Sequence, residues 1–281
     1  MKSFKPFTPS SRHTVLTPYR ELLSKRKSAP KKGLVKGAKY SAGRNHHGRI
    51  TMRHRGGGNK NLLRAVDFKY DKKDIPAKIE SIEYDPKRTG FIALVCYKDG
   101  ERRYVLASKS MKVGDTMVVG ETVAPVLGNR LPLKKIPVGT FVYNVELQPG
   151  GGAKIGRSAG NFVELIANDL GYAYLKMPSS EVRKVPEMCW ASIGETSNDQ
   201  HKLRNEGKAG RNRWKGKRPH VRGSAMNPVD HPHGGGEGRA GRGLRRAKTK
   251  WGKPSGKGQK TRSPKKYSNV FIVSRRKVGK N

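Results

Sequence analysis

The spacing of apolar positions divides the chain into a patterned middle and two unpatterned ends. From Ala65 onward, short runs of β-forming residues recur: AKIESIEY (77–84), FIALVCYK (91–98), RRYVLAS (102–108) and, after a K-V-G-D turn, TMVVG (116–120). The connecting DPKRTG and KDGE place Pro, Asp and Gly where tight reversals need them. A second series follows Pro125: FVYNVEL (141–147), NFVELIAND (161–169), YAYLKMP (172–178), EVRKVP (181–186) and MCWASIG (188–194). Apolar and polar positions alternate imperfectly in both series, as in small closed barrels with one face in the core and the other wet. The expected fold class is mainly β, two small barrels side by side. Their junction is expected in 127–137, where Gly128, Pro132 and Pro137 interrupt the pattern; the same alternation is also compatible with a single sandwich.

The ends read differently. Residues 1–64 predict a basic arm, mostly extended, with a short helical turn at TPYRELL capped by Thr17 and opened by Pro18. After His201 one short helix is expected within HKLRNEGKAGRNRWKG, interrupted by Gly207 and Gly210, and the strand pattern returns only at YSNVFIVSRR. Charge sharpens this division. Residues 1–64 carry 17 basic and 1 acidic residue and residues 202–281 carry 25 and 3, whereas 65–201 is nearly balanced at 19 and 17. Of the formal net charge of +40, the ends therefore hold all but +2. Such ends repel themselves and have little to bury; residues 202–281, with 14 glycines in 80 residues, are expected to order only on an anionic partner. Contacts to nucleic-acid phosphates supply that partner through counterion release.

Other classes fit poorly. No apolar window is long enough to span a bilayer, the N-terminus lacks a secretory pattern, and the basic ends break at Gly and Pro too often for a membrane-surface helix, so a cytoplasmic protein with no membrane partner is expected. Cys96 and Cys189 stand alone within apparent strands and read as buried small residues, with neither disulfide nor metal spacing. The glycines at 56–58 lack the G-x-x-x-x-G-K-[ST] order of a nucleotide-binding loop and are expected to bring backbone N–H groups close to RNA phosphates. His46, His47 and His54 have no Cys or carboxylate beside them to complete a metal site. The acids of 65–201 are scattered singly, with no spacing that would assemble an active site. Neither enzyme activity, cofactor nor small-molecule substrate is expected. A nucleic-acid compactor of the architectural class has no use for a near-neutral pair of barrels and would need a dimer or helical docking unit that the chain does not display.

Several longer runs are more specific: AGRNHHGRITMRHRGGG (42–58), RAVDFKYDK (64–72), IEYDPKRTG (82–90), LPLKKIPVGTFVYNVELQPGGG (131–152), GKAGRNRW (207–214) and RPHVRGSAMNPVDHPHGGGEG (218–238). Through them, over nearly its whole length, the chain resembles the ribosomal protein L2 family of the large subunit (uL2) in its bacterial form. The resemblance implies an oligonucleotide-binding-type barrel over 65–126 and an SH3-like barrel over 127–201, with the 1–64 and 202–281 extensions threaded into 23S-type ribosomal RNA. It implies a structural, non-catalytic role in subunit association, tRNA binding and the architecture of the peptidyl transferase region. Its partners would be ribosomal RNA, neighbouring ribosomal proteins and, across the subunit interface, the small subunit. After Gly238 the tail is only generically basic, and no residue roles carry over there.

The candidate RNA-binding residues are Arg49, Arg53, Arg55 and Lys60 around the glycine run, Arg88 and Arg157 in turns of the two β series, and Arg211, Arg213, Trp214, Arg218 and Arg222 in the tail. An Arg on a barrel loop can grip phosphate in a bidentate fork, and the family uses the arginines matching positions 88 and 157 in this way. A Trp can stack on an unpaired base. Asp230, His231 and His233 invite a metal or acid–base reading, but a glycine-rich loop without its own core does not preorganise a catalytic group. The resemblance instead places them near the peptidyl transferase centre, where they shape RNA.

Overall fold

The computed structural model describes residues 1–23, 30–38, 40–256 and 261–276. Residues 24–29 and 39, assigned above to the arm, and 257–260 and 277–281, assigned to the tail, lie outside the described residues. The chain forms two units, one of residues 1–39, 60–211 and 270–281, the other of 40–59 and 212–269.

The fold is mainly β, and both β series lie in the first unit. The first series forms a four-stranded antiparallel sheet in the order Arg102–Leu106, Ile92–Tyr97, Ala77–Glu83, Thr116–Met117. Its register slips between Ile79 and Ser81, a bulge of the kind that bends a strand. The unbroken apolar run 91–97 has a two-sided cause. Ala93, Val95 and Tyr97 pack with Ile79, Val105 and Met117, while Ile92 and Leu94 join Tyr104 in a separate cluster covered by Leu34 and Val66.

Leu34 of that cover comes from the arm, so the arm is not simply extended. Val35–Gly37 pairs antiparallel with Leu62–Arg64, and the Lys31 N–H donates to the Tyr104 hydroxyl at 3.1 Å. Tyr104 donates in turn to Glu83 at 3.0 Å. The expected helical turn forms over Tyr19–Leu22, but its N-cap is Pro18 with no side-chain cap bond. Thr17 is buried and its hydroxyl oxygen has no partner, which corrects the expectation that it caps the helix.

The second series builds a seven-stranded antiparallel sheet: Ile272–Ser274, Val182–Pro186, Tyr172–Lys176, Val163–Asp169, Phe141–Tyr143, Trp190–Ile193, Arg130–Pro132. Its core includes Leu131, Val142, Val163, Leu165, Leu175, Val185 and Ile193, all buried. The tail strand at 272–274 is the one expected from its β-forming residues. Arg130–Pro132, inside the stretch read as a junction, is a strand on the sheet edge, where a proline costs no ladder hydrogen bond. FVYNVEL splits at Asn144, whose φ of 55° takes the chain out of the sheet, and Val145–Glu146 pairs instead with Ala153–Ile155. Cys189 is wholly buried, and burial pushes its thiol up to about 12; Cys96 is half-buried.

In the tail, helix Ala209–Trp214 runs through Gly210, so only Gly207 marks a break. Gly207 has φ +71°, and a Cβ there would collide with the Thr14 hydroxyl. The second unit has turns and isolated bridges in place of strands among its described residues.

Candidate nucleic-acid interface

Within the first unit, the loops carrying Arg88 and Arg157 converge on one ring. The Asp67 carboxylate accepts the N–H groups of Lys69 at 2.8 Å and Tyr70 at 3.0 Å, a local turn that presents Phe68 between them. The Arg157 guanidinium lies 3.9 Å from the Phe68 centroid and that of Arg88 lies at 5.2 Å. Each arginine is also anchored. Arg88 Nε donates to Asp85 Oδ2 at 2.6 Å, and Asp85, wholly buried, accepts the Lys87 N–H at 2.9 Å through its other oxygen. Arg157 Nη1 donates to the Ala153 carbonyl at 3.0 Å. Ala153 N–H donates to the Phe68 carbonyl at 2.8 Å, and Gly152, at φ +72°, allows that approach, since a Cβ there would sit 3.1 Å from the same oxygen.

The two loops are also tied to each other. The Ala159 N–H donates to Thr89 Oγ1 at 3.0 Å, and Asn198 Nδ2 donates to the Thr89 carbonyl at 2.6 Å. The Arg157 guanidinium is held below its ordinary range by burial first and by the Arg88 charge second. Two cations placed together on an aromatic face, one with its carboxylate already engaged, make a site for an anion that takes forked hydrogen bonds. Phe68 was absent from the sequence reading. Its signal was an aromatic beside Lys69 in RAVDFKYDK, outside every predicted strand.

Lys60 and Arg211 also belong to the first unit; Lys60 is exposed, while Arg211 is bound to the Glu206 carbonyl at 2.8 Å. In the second unit the glycines at 56–58 have a different partner from the one expected. Gly56 N–H donates to the Gly216 carbonyl at 2.9 Å, Asn59 N–H donates to the Trp214 carbonyl at 2.9 Å, and a Cβ on Gly58 would come within 2.8 Å of Gly216 N. The Gly56 N–H is therefore engaged by the protein itself, and Gly58 lies close against the Gly216 backbone. In the same unit, Arg49, Arg218, Arg222 and Trp214 are exposed. Arg55 is half-buried with its Nε on Met52 Sδ at 3.2 Å, Arg213 has a buried Nη1 without a hydrogen-bond partner, and Arg53 lies 5.2 Å from the Trp251 centroid.

His231 and His233 do come together, with ring centroids 4.6 Å apart. The geometry is architectural. His233 N–H donates to His231 Nδ1 at 3.0 Å, and Lys248 N–H donates to His233 Nε2 at 2.9 Å. His233 must be neutral to accept that bond; burial, followed by the charges of His231, Arg242 and Lys248, holds it below its ordinary value. His231 lies flat enough on Gly223 that a Cβ there would come within 2.5 Å of Cε1, and a Cβ on Gly234 would strike the Asn227 carbonyl at 2.3 Å. Asp230 is exposed. Among the described residues no group of three or more His, Cys, Asp or Glu could hold a metal.

Comparison with known proteins identifies the family. Residues 31–119 match the family described as "Ribosomal Proteins L2, RNA binding N-terminal domain", and residues 126–252 match "Ribosomal Proteins L2, C-terminal domain". The chain is 51% identical over 276 residues to the large ribosomal subunit protein uL2 of Xanthomonas euvesicatoria pv. vesicatoria, covering 98% of this chain and 99% of the relative. It is 49% identical over 277 residues to that of Bacteroides thetaiotaomicron, covering 99% of each. With about half of all positions identical from end to end, and both halves matched by the family's two domains, the chain belongs to the ribosomal protein L2 (uL2) family in its bacterial form.

Proposed function

We propose that the protein is a structural, non-catalytic constituent of the large ribosomal subunit that binds 23S-type ribosomal RNA in the cytoplasm. The observation that carries this reading is the pair of arginines anchored on Phe68, a preorganised anion site on a module with little net charge. The four-stranded sheet and its cover, 65–126, serve as an oligonucleotide-binding-type barrel, and 127–201 as an SH3-like barrel. The 1–64 and 202–281 extensions carry most of the charge into RNA. Arg49, Arg53, Arg55, Lys60, Arg88, Arg157, Arg211, Arg213, Arg218 and Arg222 contact phosphate, with Trp214 stacking on a base. Asp230, His231 and His233 shape RNA near the peptidyl transferase centre, and the assembled particle uses the protein in tRNA binding, subunit association and contacts with neighbouring ribosomal proteins.

Sedimentation of cell lysate at moderate salt tests the central part: the protein travels with large subunits, whereas sedimentation with the chromosome would favour an architectural DNA-binding protein. The His231 assignment has its own test. His231→Ala removes no formal charge at neutral pH, so RNA affinity holds while peptide-bond formation or joining to the small subunit falls in reconstituted subunits; normal results in both assays reject the assignment.

A further inference from the structure

The second unit contains an exposed aromatic that the site above does not use. Residues 247–255 form a tight loop closed by the Lys248–Pro254 bridge, with Ser255 N–H donating to the Ala247 carbonyl at 2.8 Å and Thr249 N–H to the Lys253 carbonyl at 2.8 Å. Gly252, at φ +78°, makes the reversal and donates its N–H to the Thr249 carbonyl at 2.9 Å. Trp251 stands at the tip and is 67% exposed. The loop is held from below by the Lys248 N–H bond to His233 Nε2.

Two cations frame the indole: Arg53 at 5.2 Å and Lys250 at 5.3 Å from the centroid. Lys248 and Lys253 add charge to the same loop, and no acidic residue occurs after Glu237. An apolar protein partner gains little from such a rim, and a cationic one is repelled. A nucleotide satisfies both halves, since every base has a π face for the indole and every phosphate a charge for the flanking cations. We propose that Trp251 is a base-stacking site for an unpaired RNA nucleotide, with Arg53 and Lys250 holding the adjoining phosphates and His233 positioning the loop. This rests on the RNA-binding reading above and adds to it an unpaired base as the ligand of Trp251, with Lys250 joining Arg53 beside it.

The test uses the full chain with two probes: an oligoadenylate about twelve nucleotides long, within the range of single-strand site sizes, and an abasic strand with the same number of phosphates. Trp251→Ala is expected to lower oligoadenylate affinity about 5- to 150-fold, the range spanned by loss of one base–aromatic stack. Affinity for the abasic strand and the salt dependence should stay at parental values, because no charge is removed. Trp251→Phe keeps a smaller π face and recovers most of the loss. Arg53→Ala instead weakens both probes and flattens the salt dependence. Parental affinity of Trp251→Ala for oligoadenylate overturns the proposal, as does an equal loss on the abasic strand, which would make the indole only a support for the charged loop. Failure of the parent chain to bind large-subunit ribosomal RNA would sink the underlying reading; binding of that RNA without any effect of Trp251→Ala on oligoadenylate sinks only this one.

Discussion

Arg130 and Glu146 form an ion pair at 3.0 Å with side chains 1% and 2% exposed, and its disruption is expected to unfold more than its immediate surroundings. Arg130 Nη1 donates to the Asn144 carbonyl at 2.7 Å, and Nη2 donates to the Trp190 carbonyl at 3.3 Å as well as to Glu146. The guanidinium lies 4.5 Å from the ring centroid of Tyr70, and Asn144 Nδ2 donates to the Tyr70 hydroxyl at 2.7 Å. Tyr70 belongs to the core of the four-stranded sheet, whereas Arg130 and Trp190 lie on strands of the seven-stranded one, so the cluster joins the two. Glu146→Leu leaves a buried guanidinium without its counterion and Arg130→Met leaves a buried carboxylate; each should cost about 3–5 kcal/mol. The double variant removes both charges. It leaves the Asn144 and Trp190 carbonyls short of a donor, a loss of about 1–3 kcal/mol, so it should be more stable than either single variant. Urea unfolding of the full chain by linear extrapolation measures all four proteins, and the coupling follows from the cycle. Because the pair is out of water, added salt should not change the coupling. Additive losses, or a single-variant loss below about 1 kcal/mol, would refute the claim that this pair acts as a desolvated unit.

Three further outcomes follow from particular contacts. Arg88→Ala or Arg157→Ala should weaken binding of the full chain to large-subunit RNA several-fold in filter binding at fixed salt, and parental affinity for both would remove the Phe68 site from the interface. Asp71, Asp99 and Glu101 are held below their ordinary carboxylate values by hydrogen bonds from Arg103 and Lys72, so their stabilisation is complete above the ordinary values of 3.8 and 4.5 and is lost as pH falls through the lowered ones. The urea midpoint should therefore drop more steeply between pH 5 and pH 3 in the parent than in Arg103→Gln, and parallel curves would deny this network a role. His233 has a lowered value, so the bond it accepts from Lys248 is present at neutral pH and lost on acidification as the imidazole takes up a proton. In the RNA-bound chain, amide exchange at Lys248, corrected for intrinsic chemistry, should be faster at pH 5.5 than at pH 7.5, and no difference would contradict the bond.

The strands were legible because their alternation is set by one face in a core and the other wet, and Ile79, Val95, Leu165 and Leu175 all lie in those cores. The charge division was legible for the same reason, since apolar residues are scarce where no core forms. What alternation does not carry is backbone direction. Asn144 reads as the middle of a strand, yet its left-handed φ moves the chain from one sheet to another, and Pro132 reads as a break although an edge strand accommodates it. The arm reads as extended because Leu34 and Val35 stand between basic residues and glycines; only the cluster of Ile92, Leu94 and Tyr104 gives Leu34 something to pack against.

At the interface, sequence identified cations but not what holds them. Arg88 and Arg157 are 69 positions apart, and nothing in their local sequences indicates that they share Phe68. The glycines at 56–58 signal close approach, and at Gly56 and Gly58 the neighbouring group within the chain is the backbone at Gly216. The H-x-H pair suggested a metal or proton-transfer site by composition, whereas its nitrogen atoms accept backbone N–H groups and fix loops.

The most direct test of the account is the affinity of the full chain for large-subunit ribosomal RNA measured across a salt series, beside a chain ending at residue 201. Many phosphate contacts made by the basic tail predict a steep linear fall of log affinity with log salt, at least about 10³-fold between 50 and 200 mM for six or more contacts, and a shallower slope for the shortened chain. Affinity indifferent to salt, or equal slopes for the two chains, would contradict the claim that the charged extensions bind the RNA backbone.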